Sequence, residues 1–350
     1  MAQRIVIMAG GTGGHVFPAL AVAQYLQAND WEVSWLGTKQ GLESRVIPEQ
    51  GIAIDWLSVN GLRGKGLLAK LTAPLMLGKA CYQALSILRK RKPNVVLGMG
   101  GFVAGPGGLM AKLLGIPVII HEQNRIPGTT NRLLSKIAVK VLEAFEGSFS
   151  KAVNAIATGN PLRKELLNVP EKELWHGQRE FRILIVGGSL GAQILNNVIP
   201  SALATLSGVQ VKHQTGASML EQVTQQYQDL GLNAEVSAFI SDMRSAYVWA
   251  DMLICRSGAM TVSELAAASL PSILIPFPYA IDDHQTANAR VLADAGAASL
   301  LPQQNLTPET LLLQIKYIQD HIESMSMNAK QVARLDATER VAKVCIANAR

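Results

Sequence analysis

Two glycine-rich turns, each placed directly after a short apolar run, constrain the fold of this chain more than any other feature. The first turn, GGTGGH at 10–15, follows Ile5 to Ala9, and the second, GGSLGA at 187–192, follows Ile183 to Val186. A strand, a turn of small residues and a helix start leave backbone N–H groups at the helix N-terminus that can bind an anion. The sequence therefore predicts two α/β halves, each of which binds an anionic group.

Short β-rich runs alternate with helical patterns along the chain. In the first half these runs are Ile5–Ala9, Val33–Leu36, Ile52–Val59, Val95–Leu97, Val118–His121 and Val139–Leu142. In the second half they are Ile183–Val186, Val209–Gln214, Met252–Arg256 and Ser272–Pro276. This alternation predicts an α/β fold of two doubly wound domains, each with a parallel sheet covered by helices on both faces. Because a glycine and an X-Pro step interrupt regular structure, we place the boundary at Gly159–Pro161, giving domains of 1–160 and 161–335.

The charge of the chain is concentrated in its first half. Up to residue 160 there are 17 Lys and Arg against 8 Asp and Glu, a net +9, and the remainder has 15 against 18, a net −3, which together give the overall +6. A basic first half favours a phosphorylated small molecule or an anionic membrane surface. Nucleic acid is disfavoured, because no binding motif occurs and aromatic residues make up only 5%. The three cysteines lie far apart and predict neither a disulfide framework nor a zinc site, so we expect a reduced cytosolic compartment.

The sequence predicts no secretory leader and no membrane span, because no uncharged apolar stretch reaches about 18 residues. Between Arg63 and Lys92, however, the apolar residues of 67–77 alternate with lysines and precede the basic run RKRK. Such faces occur on helices that lie on anionic bilayers, and also on ordinary helices that face a core.

Two residues that follow strands are candidate general bases. His15 closes the first glycine turn, where a neutral imidazole could accept a proton, although a capping or packing role is the alternative. Glu122 follows a strand at the carboxyl edge of the predicted sheet, where open α/β sheets bind ligands. It is a second candidate base, a group that orients one, or a hydrogen-bonded anchor of its loop.

Other polar residues suit a sugar nucleotide. Arg163, beside the boundary, could bind a phosphate or form a surface ion pair. Glu264, one turn into the helix of RSGAMTVSE, could accept hydrogen bonds from ribose hydroxyls or stabilise the helix N-terminus. The cluster Asp282, Asp283, His284 and Gln285 suits sugar hydroxyls better than a metal, and the sequence identifies no metal site, although a divalent cation is compatible with the chemistry. The first turn matches neither a dinucleotide fingerprint nor a P-loop.

Taken in order, eight motifs resemble the bacterial peptidoglycan N-acetylglucosaminyltransferases, which convert lipid I to lipid II. They are GGTGGHVFPALAVA, GLRGKG, VVLGMGGFVAGPGG, HEQN, GNPLR, GGSLGA, RSGAMTVSE and DATERVA, and together they span essentially the whole chain. The resemblance implies a GT-B fold, in which two Rossmann-like domains face a cleft and the last helix, about 336–350, returns to the first domain. It also implies an enzyme of cell-wall synthesis that lies peripherally on the cytoplasmic face of the inner membrane.

The resemblance further implies an inverting transfer of N-acetylglucosamine from UDP-N-acetylglucosamine to the 4-hydroxyl of the muramyl sugar of lipid I, with no cofactor required. The second domain would bind the nucleotide and the first would approach the lipid. The donor-binding positions carried over by matching motif are Thr12, Gly13, Gly14, Asn124, Arg163, Ser189, Ile240, Ala259, Met260, Thr261, Val262, Ser263, Glu264 and Gln285. Ile240 would contact uracil through its backbone, and Arg163 and Ser189 would lie near the diphosphate. His15 is the expected base, with Glu122 as the competing candidate.

Three other functions are compatible with parts of the pattern. A sugar-nucleotide epimerase would share the two-domain architecture and would act on the donor alone. A non-catalytic scaffold recruited to the membrane would bind ligand without releasing UDP. A nicotinamide oxidoreductase is disfavoured, because Val16 stands where the dinucleotide fingerprint requires its third glycine.

Overall fold

The chain divides into two compact units. The computed structural model describes residues 2–59, 67–170, 173–188 and 192–350, with side chains described from residue 73 onward in the second range. One unit comprises Met1–Arg163 together with Leu335–Arg350, and the other comprises Lys164–Arg334. The division thus falls at Arg163, a few residues beyond the segment at which the sequence places it.

The first unit is built on a parallel sheet with the strand order β3-β2-β1-β4-β5-β6-β7. Its strands are β1 Arg4–Met8, β2 Glu32–Gly37, β3 Ala53–Trp56, β4 Val95–Gly98, β5 Val118–Glu122, β6 Lys140–Glu143 and β7 Ile156–Ala157. Its helices are α1 Gly13–Gln27, α2 Glu43–Glu49, α3 Leu67–Arg91, α4 Ala104–Leu113, α5 Thr129–Leu134 and, from the end of the chain, α14 Ala337–Ala347.

Helices cover both faces of this sheet because its central strand is apolar on both sides. Ile5 and Ile7 point into one hydrophobic cluster, and Val6 and Met8 point into another on the opposite face. The last helix belongs to the first of these clusters, where Val341 and Cys345 are fully buried. The end of the chain therefore forms part of the core of the first unit.

The second unit repeats the design with the strand order β10-β9-β8-β11-β12-β13. Its strands are β8 Phe181–Val186, β9 Val209–Gln214, β10 Ala234–Ser237, β11 Met252–Cys255, β12 Ser272–Leu274 and β13 Ala298–Leu300. Its helices are α6 Lys164–Leu167, α7 Gln193–Leu203, α8 Leu220–Asp229, α9 Met243–Trp249, α10 Ala259–Ala267, α11 His284–Ala293, α12 Pro308–Asp320 and α13 Ile322–Val332. All strand pairs are parallel, which confirms the predicted α/β class with two Rossmann-like sheets.

Each sheet has one point at which the chain reverses its direction of travel across the strands. In the first sheet this switch lies between β1 and β4, and in the second between β8 and β11. Open parallel sheets bind ligands just beyond the carboxyl ends of the strands at such a switch. The glycine turns and the RSGAMTVSE segment follow these strands directly.

Candidate donor and catalytic sites

The first glycine turn joins β1 to α1 at the switch of the first unit. Thr12 precedes the helix in an extended conformation, and its side chain makes no capping bond to the first turn. The carbonyl of Thr12 accepts bonds from the N–H groups of His15 and Val16, at 3.1 Å each, so the turn enters the helix at once. The N–H groups at this end of α1 are therefore presented as the sequence predicts for an anion site.

His15 packs against a further glycine-rich turn, GMGGFVAGPGG at 98–108, which follows β4. A Cβ atom built on Gly100 would lie 2.6 Å from Cδ2 of the His15 ring, and Gly100 has a φ of +95°, which other residues rarely adopt. Only glycine fits this position without displacing the imidazole. Two loops that are distant in sequence thus fix the ring of the candidate base, which is half-buried.

A buried carboxylate that the sequence analysis did not predict accepts a hydrogen bond from the first glycine turn. Glu43, fully buried at the start of α2, accepts bonds from the N–H of Gly11 at 2.9 Å and from the N–H and hydroxyl of Thr38 at 2.9 and 2.8 Å. A Cβ on Gly41 would lie 2.0 Å from the carboxylate, so glycine is required for this close approach. Glutamates on short helices usually face solvent, and the glycines at 37 and 41 are the only local signal of this burial.

A cavity of about 280 Å³ opens beside this turn in the first unit. It is lined by Gly10, Gly11, Thr12, Thr38, Gln40, Gly41, Val59, Phe102 and Val103. Its lining combines glycine backbone, the side chains of two threonines and a glutamine, two valines and the exposed ring of Phe102.

Glu122, the second candidate base, is engaged by four donors. It is buried, and Oε1 accepts bonds from the N–H and side-chain amide of Asn124 at 2.9 and 3.2 Å. Oε2 accepts bonds from the N–H of Gly128 at 3.0 Å and from the amide of Asn131 at 2.8 Å. A carboxylate held by four donors orders its loop, and this arrangement favours the anchoring alternative over proton transfer.

The segment leading to Arg163 is tied to the same loop. The fully buried His121 donates from Nε2 to the carbonyl of Gly159 at 2.9 Å, and the amide of Asn160 donates to the carbonyl of Gln123 at 3.1 Å. Burial lowers the pKa of His121 to about 4, so its ring is neutral at pH 7. The guanidinium of Arg163 then lies over the ring of Phe17 in α1, 5.5 Å from its centroid. The structure thus brings Thr12–Gly14, His15 and Arg163 to one end of α1.

The second glycine turn follows β8 at the switch of the second unit. Ser189, with the rest of 189–191, lies outside the described residues. At the preceding residue, the carbonyl of Gly188 accepts a bond from the amide of Gln214 at 2.9 Å, and Oε1 of the same amide accepts from the N–H of Ile240 at 2.9 Å. Gln214 is buried and was missed by the sequence analysis, although it connects two predicted donor-binding segments. The backbone N–H of Ile240 is therefore bonded within the second unit.

The helix α10 follows β11 on the other side of the same switch. Gly258 precedes the helix and has no side chain with which to cap it, so the first-turn N–H groups suit a phosphate. Glu264 stands one turn further on, and its Oε2 accepts a bond from the hydroxyl of Tyr247 at 2.8 Å. The predicted positions Ala259, Met260, Thr261, Val262, Ser263 and Glu264 all lie on this helix.

Gln285 is oriented by the loop after β12. Its Oε1 accepts a bond from the N–H of Phe277 at 2.9 Å, which leaves the two N–H donors of the amide on the other side. The fully buried hydroxyl of Ser257 donates to the carbonyl of Gln285 at 2.8 Å and connects this residue to the start of α10. The amide of Gln285 is thus set to donate to an acceptor such as a sugar hydroxyl.

Across the described ranges, no group of three or more histidine, cysteine, aspartate or glutamate side chains is arranged to hold a metal ion. The neighbouring Asp282 and Asp283 both have positive φ, and Oδ1 of Asp283 accepts a bond from the hydroxyl of Thr286 at 2.7 Å.

Comparisons with known proteins agree with this geometry. Residues 5–143 match the glycosyltransferase family 28 N-terminal domain, and residues 182–344 match the family 28 C-terminal domain. A protein of Methylococcus capsulatus, named a UDP-N-acetylglucosamine N-acetylmuramyl-(pentapeptide) pyrophosphoryl-undecaprenol N-acetylglucosamine transferase, is 61% identical over 100% of this chain and 99% of its own. A protein of the same name from Shewanella pealeana is 52% identical over 98% and 96%. The crystal structure of Acinetobacter baumannii MurG superposes with a TM-score of 0.85 at 41% identity over 99% of both chains.

Proposed function

The chain belongs to glycosyltransferase family 28, and we infer that it transfers N-acetylglucosamine from UDP-N-acetylglucosamine to lipid I, giving lipid II and UDP in peptidoglycan synthesis. Relatives that carry this activity in their names match the chain over its whole length. The observation in the structure that supports it best is the second unit's switch point, where an uncapped helix N-terminus and a carboxylate one turn later suit a diphosphate and a ribose.

The donor is held at four of its parts in this proposal. The first-turn N–H groups of α10 bind the diphosphate, Glu264 accepts hydrogen bonds from the ribose hydroxyls, and the carbonyl of Ile240 accepts from N3–H of uracil. Gln285 donates to the sugar. The positions Thr12–Gly14, Asn124 and Arg163 lie in the first unit, and Ser189 in the second, and all stay proposed donor contacts on the strength of their motifs.

The transfer itself is a single inverting displacement. The 4-hydroxyl oxygen of the muramyl sugar forms a bond to the anomeric carbon, the bond from that carbon to the phosphate oxygen breaks, and UDP leaves from the opposite face. The proton of the hydroxyl passes to the base, for which we propose His15, whose ring is fixed by Gly100. Positive potential from helix N-termini and Arg163 stabilises the departing UDP.

We also propose that the enzyme acts as a peripheral protein on the cytoplasmic face of the inner membrane, where its prenyl-linked acceptor is anchored. Among the helices in the described parts of the chain, none has the length and apolar character to cross a bilayer. Three consecutive helices of the first unit, α3, α4 and α5, pack against one another and expose Leu75, Tyr82, Leu113 and Leu133 by 61 to 79%. The exposed cations Lys79, Lys112, Arg132 and Lys136 lie on or next to the same helices. Exposed apolar side chains on helices that also carry exposed cations suit an anionic bilayer surface.

The exposed residues of α3, α4 and α5 named above are not those of the basic run RKRK at 89–92. Arg91, in that run, pairs with Asp55 at 2.7 Å and so contributes less to a positive surface. The side chains of residues 67, 68 and 71, which carry part of the predicted apolar stretch, lie outside those described. The proposal therefore rests on Leu75 and on the exposed residues of α4 and α5.

The direct test of the activity is UDP release from UDP-N-acetylglucosamine with and without a lipid I analogue. The proposal predicts release that requires the analogue, together with formation of a disaccharide product. Epimerised or free sugar formed from the donor alone would indicate an epimerase or a hydrolase instead. Binding without release would indicate a scaffold.

A further inference from the structure

A buried tyrosine on a neighbouring helix holds the carboxylate proposed to bind ribose. The hydroxyl of Tyr247, in α9, donates to Oε2 of Glu264, in α10, at 2.8 Å. The side chain of Tyr247 is 1% exposed, so the position of its hydroxyl is fixed by the packing of the ring. Glu264 is only half-buried and stands at the ligand side of the sheet.

A glutamate side chain that is not fixed by a hydrogen bond within the protein would bind two hydroxyls weakly. Its side chain rotates about three bonds, and ordering it on binding costs up to about 2 kcal/mol of conformational entropy. The bond from Tyr247 orders the carboxylate before the nucleotide arrives, and preorganisation of this kind reduces the cost of binding. A carboxylate has about four acceptor positions on its two oxygens, so it can accept a bond from the phenol together with bonds from the two hydroxyls of a vicinal diol.

The negative charge of Glu264 also affects a buried thiol in the core of the second unit. Burial, with a smaller contribution from the charge of Glu264, raises the pKa of the Cys255 thiol at the end of β11. Glu264 lies on α10, the helix that follows this strand at the switch point, where open parallel sheets bind ligands.

We propose that Tyr247 is a positioning residue that fixes Glu264 for the vicinal ribose hydroxyls, and that this pair makes the enzyme prefer ribonucleotide over deoxyribonucleotide donors. The inference rests on the proposed use of UDP-N-acetylglucosamine and deepens it. Tyr247 itself contacts no substrate. Its role is to select one orientation of the group that does.

The test compares two donors in wild type and in Tyr247→Phe. The donors are UDP-N-acetylglucosamine and its 2′-deoxyribose counterpart, each assayed for UDP release with a lipid I analogue. In wild type we expect kcat/KM to favour the ribose donor. In Tyr247→Phe this preference shrinks about three- to tenfold, the equivalent of one hydrogen bond, because KM for the ribose donor rises while kcat changes little.

Tyr227→Phe is the matched control. Tyr227 is also 1% exposed in the second unit, and its hydroxyl bonds to Nδ1 of His213 at 3.0 Å, away from Glu264. This variant removes an equally buried phenol hydroxyl and leaves the preference between donors at its wild-type value. In a Glu264→Ala background, Tyr247→Phe has no further effect on the preference.

Failure of the inference is separable from failure of the proposed function. If wild type transfers no sugar from UDP-N-acetylglucosamine, the function is wrong. If wild type is active but does not discriminate between the donors, or if Tyr247→Phe keeps the full discrimination, only the inference is overturned. An equal rise in KM for both donors in Tyr247→Phe also overturns it, because that result describes general loosening of the site.

Discussion

At the scale of single residues, two buried carboxylates order the loops that carry the candidate catalytic groups of the first unit. Glu43 holds the turn from which His15 projects, and Glu122 holds the loop that follows β5. Each accepts bonds from backbone N–H groups far along the chain or across a turn, so removal of either takes the acceptor away from several partly buried donors. The hydrogen bonds of both carboxylates order loops, and we propose the imidazole of His15 for proton transfer.

Replacement of the imidazole tests this assignment. We expect His15→Ala to lower kcat by about 10²- to 10⁴-fold, the usual contribution of a general base, while the affinity for UDP-N-acetylglucosamine stays close to that of wild type. Turnover and donor binding are measured separately, by UDP release and by calorimetric titration. His321→Ala, at an exposed position in the second unit, is the control. Unchanged turnover in His15→Ala would remove His15 from the role.

The hydrogen bonds of Glu43 predict an effect on both stability and turnover. Glu43→Gln replaces one acceptor oxygen by an NH₂ group that faces the N–H of Gly11 or of Thr38, and we expect a loss of about 1–3 kcal/mol of unfolding free energy, with reduced kcat. Denaturant unfolding and UDP release measure the two effects. Glu49→Gln, on the exposed end of the same helix, should change neither. If both variants behave alike, the carboxylate does not hold the turn.

At the scale of elements, the strands predicted from apolar runs were confirmed, and three others were missed for physical reasons. The central strands are buried on both faces, so their sequences are continuous apolar runs such as RIVIM and MLIC. The missed strands, β7, β10 and β13, are short pieces such as Ile156–Ala157 and AEVS, in which small or polar residues give no periodic signal. Their pairing is decided by neighbouring strands rather than by local sequence.

The residues of the candidate site likewise divide into those that local sequence patterns suggest and those that they do not. Residues adjacent to glycine turns could be proposed from the sequence, because a turn at a strand end presents its neighbours to a ligand, and their roles stay predictions. Glu43, Gln214 and Tyr247 were not, because each acts on a segment 17 to 32 residues away in sequence. A contact of that separation leaves no trace in local spacing.

At this scale, the prediction is that the exposed apolar side chains of α3 and α4 contribute to membrane binding. We expect Leu75→Glu, and more strongly Leu75→Glu with Leu113→Glu, to weaken co-sedimentation with vesicles that contain anionic lipid, because each change places a carboxylate in the bilayer interface. Leu313→Glu is the control, since Leu313 is 67% exposed on α12 of the second unit, comparable to Leu113 at 70%. Equal binding by all variants would count against this face.

At the scale of the whole molecule, each unit carries one histidine that is buried in the neutral form. Burial lowers the pKa of His121 to about 4 in the first unit and the pKa of His213 to about 3 in the second, against 6.5 for an exposed histidine. Below pH 6.5 the unfolded chain therefore binds protons that the folded chain does not. Folding is favoured above that pH, and stability falls as the pH drops toward 4.

The expected slope is up to about 1.4 kcal/mol of unfolding free energy per pH unit for each histidine between pH 6.5 and 5. Denaturant unfolding at several pH values measures it. His321→Gln should keep the slope, because His321 is exposed. A stability that is constant across this window would show that the two rings are not buried as neutral groups.

The central claim is that the second unit holds a sugar nucleotide at its switch point, with the diphosphate at the N-terminus of α10 and the ribose at Glu264. A crystal structure of the protein with UDP-N-acetylglucosamine tests this most directly. We predict the diphosphate within hydrogen-bond distance of the first-turn N–H groups of α10 and both ribose hydroxyls on the carboxylate of Glu264. A nucleotide bound at any other place on the chain would contradict the account.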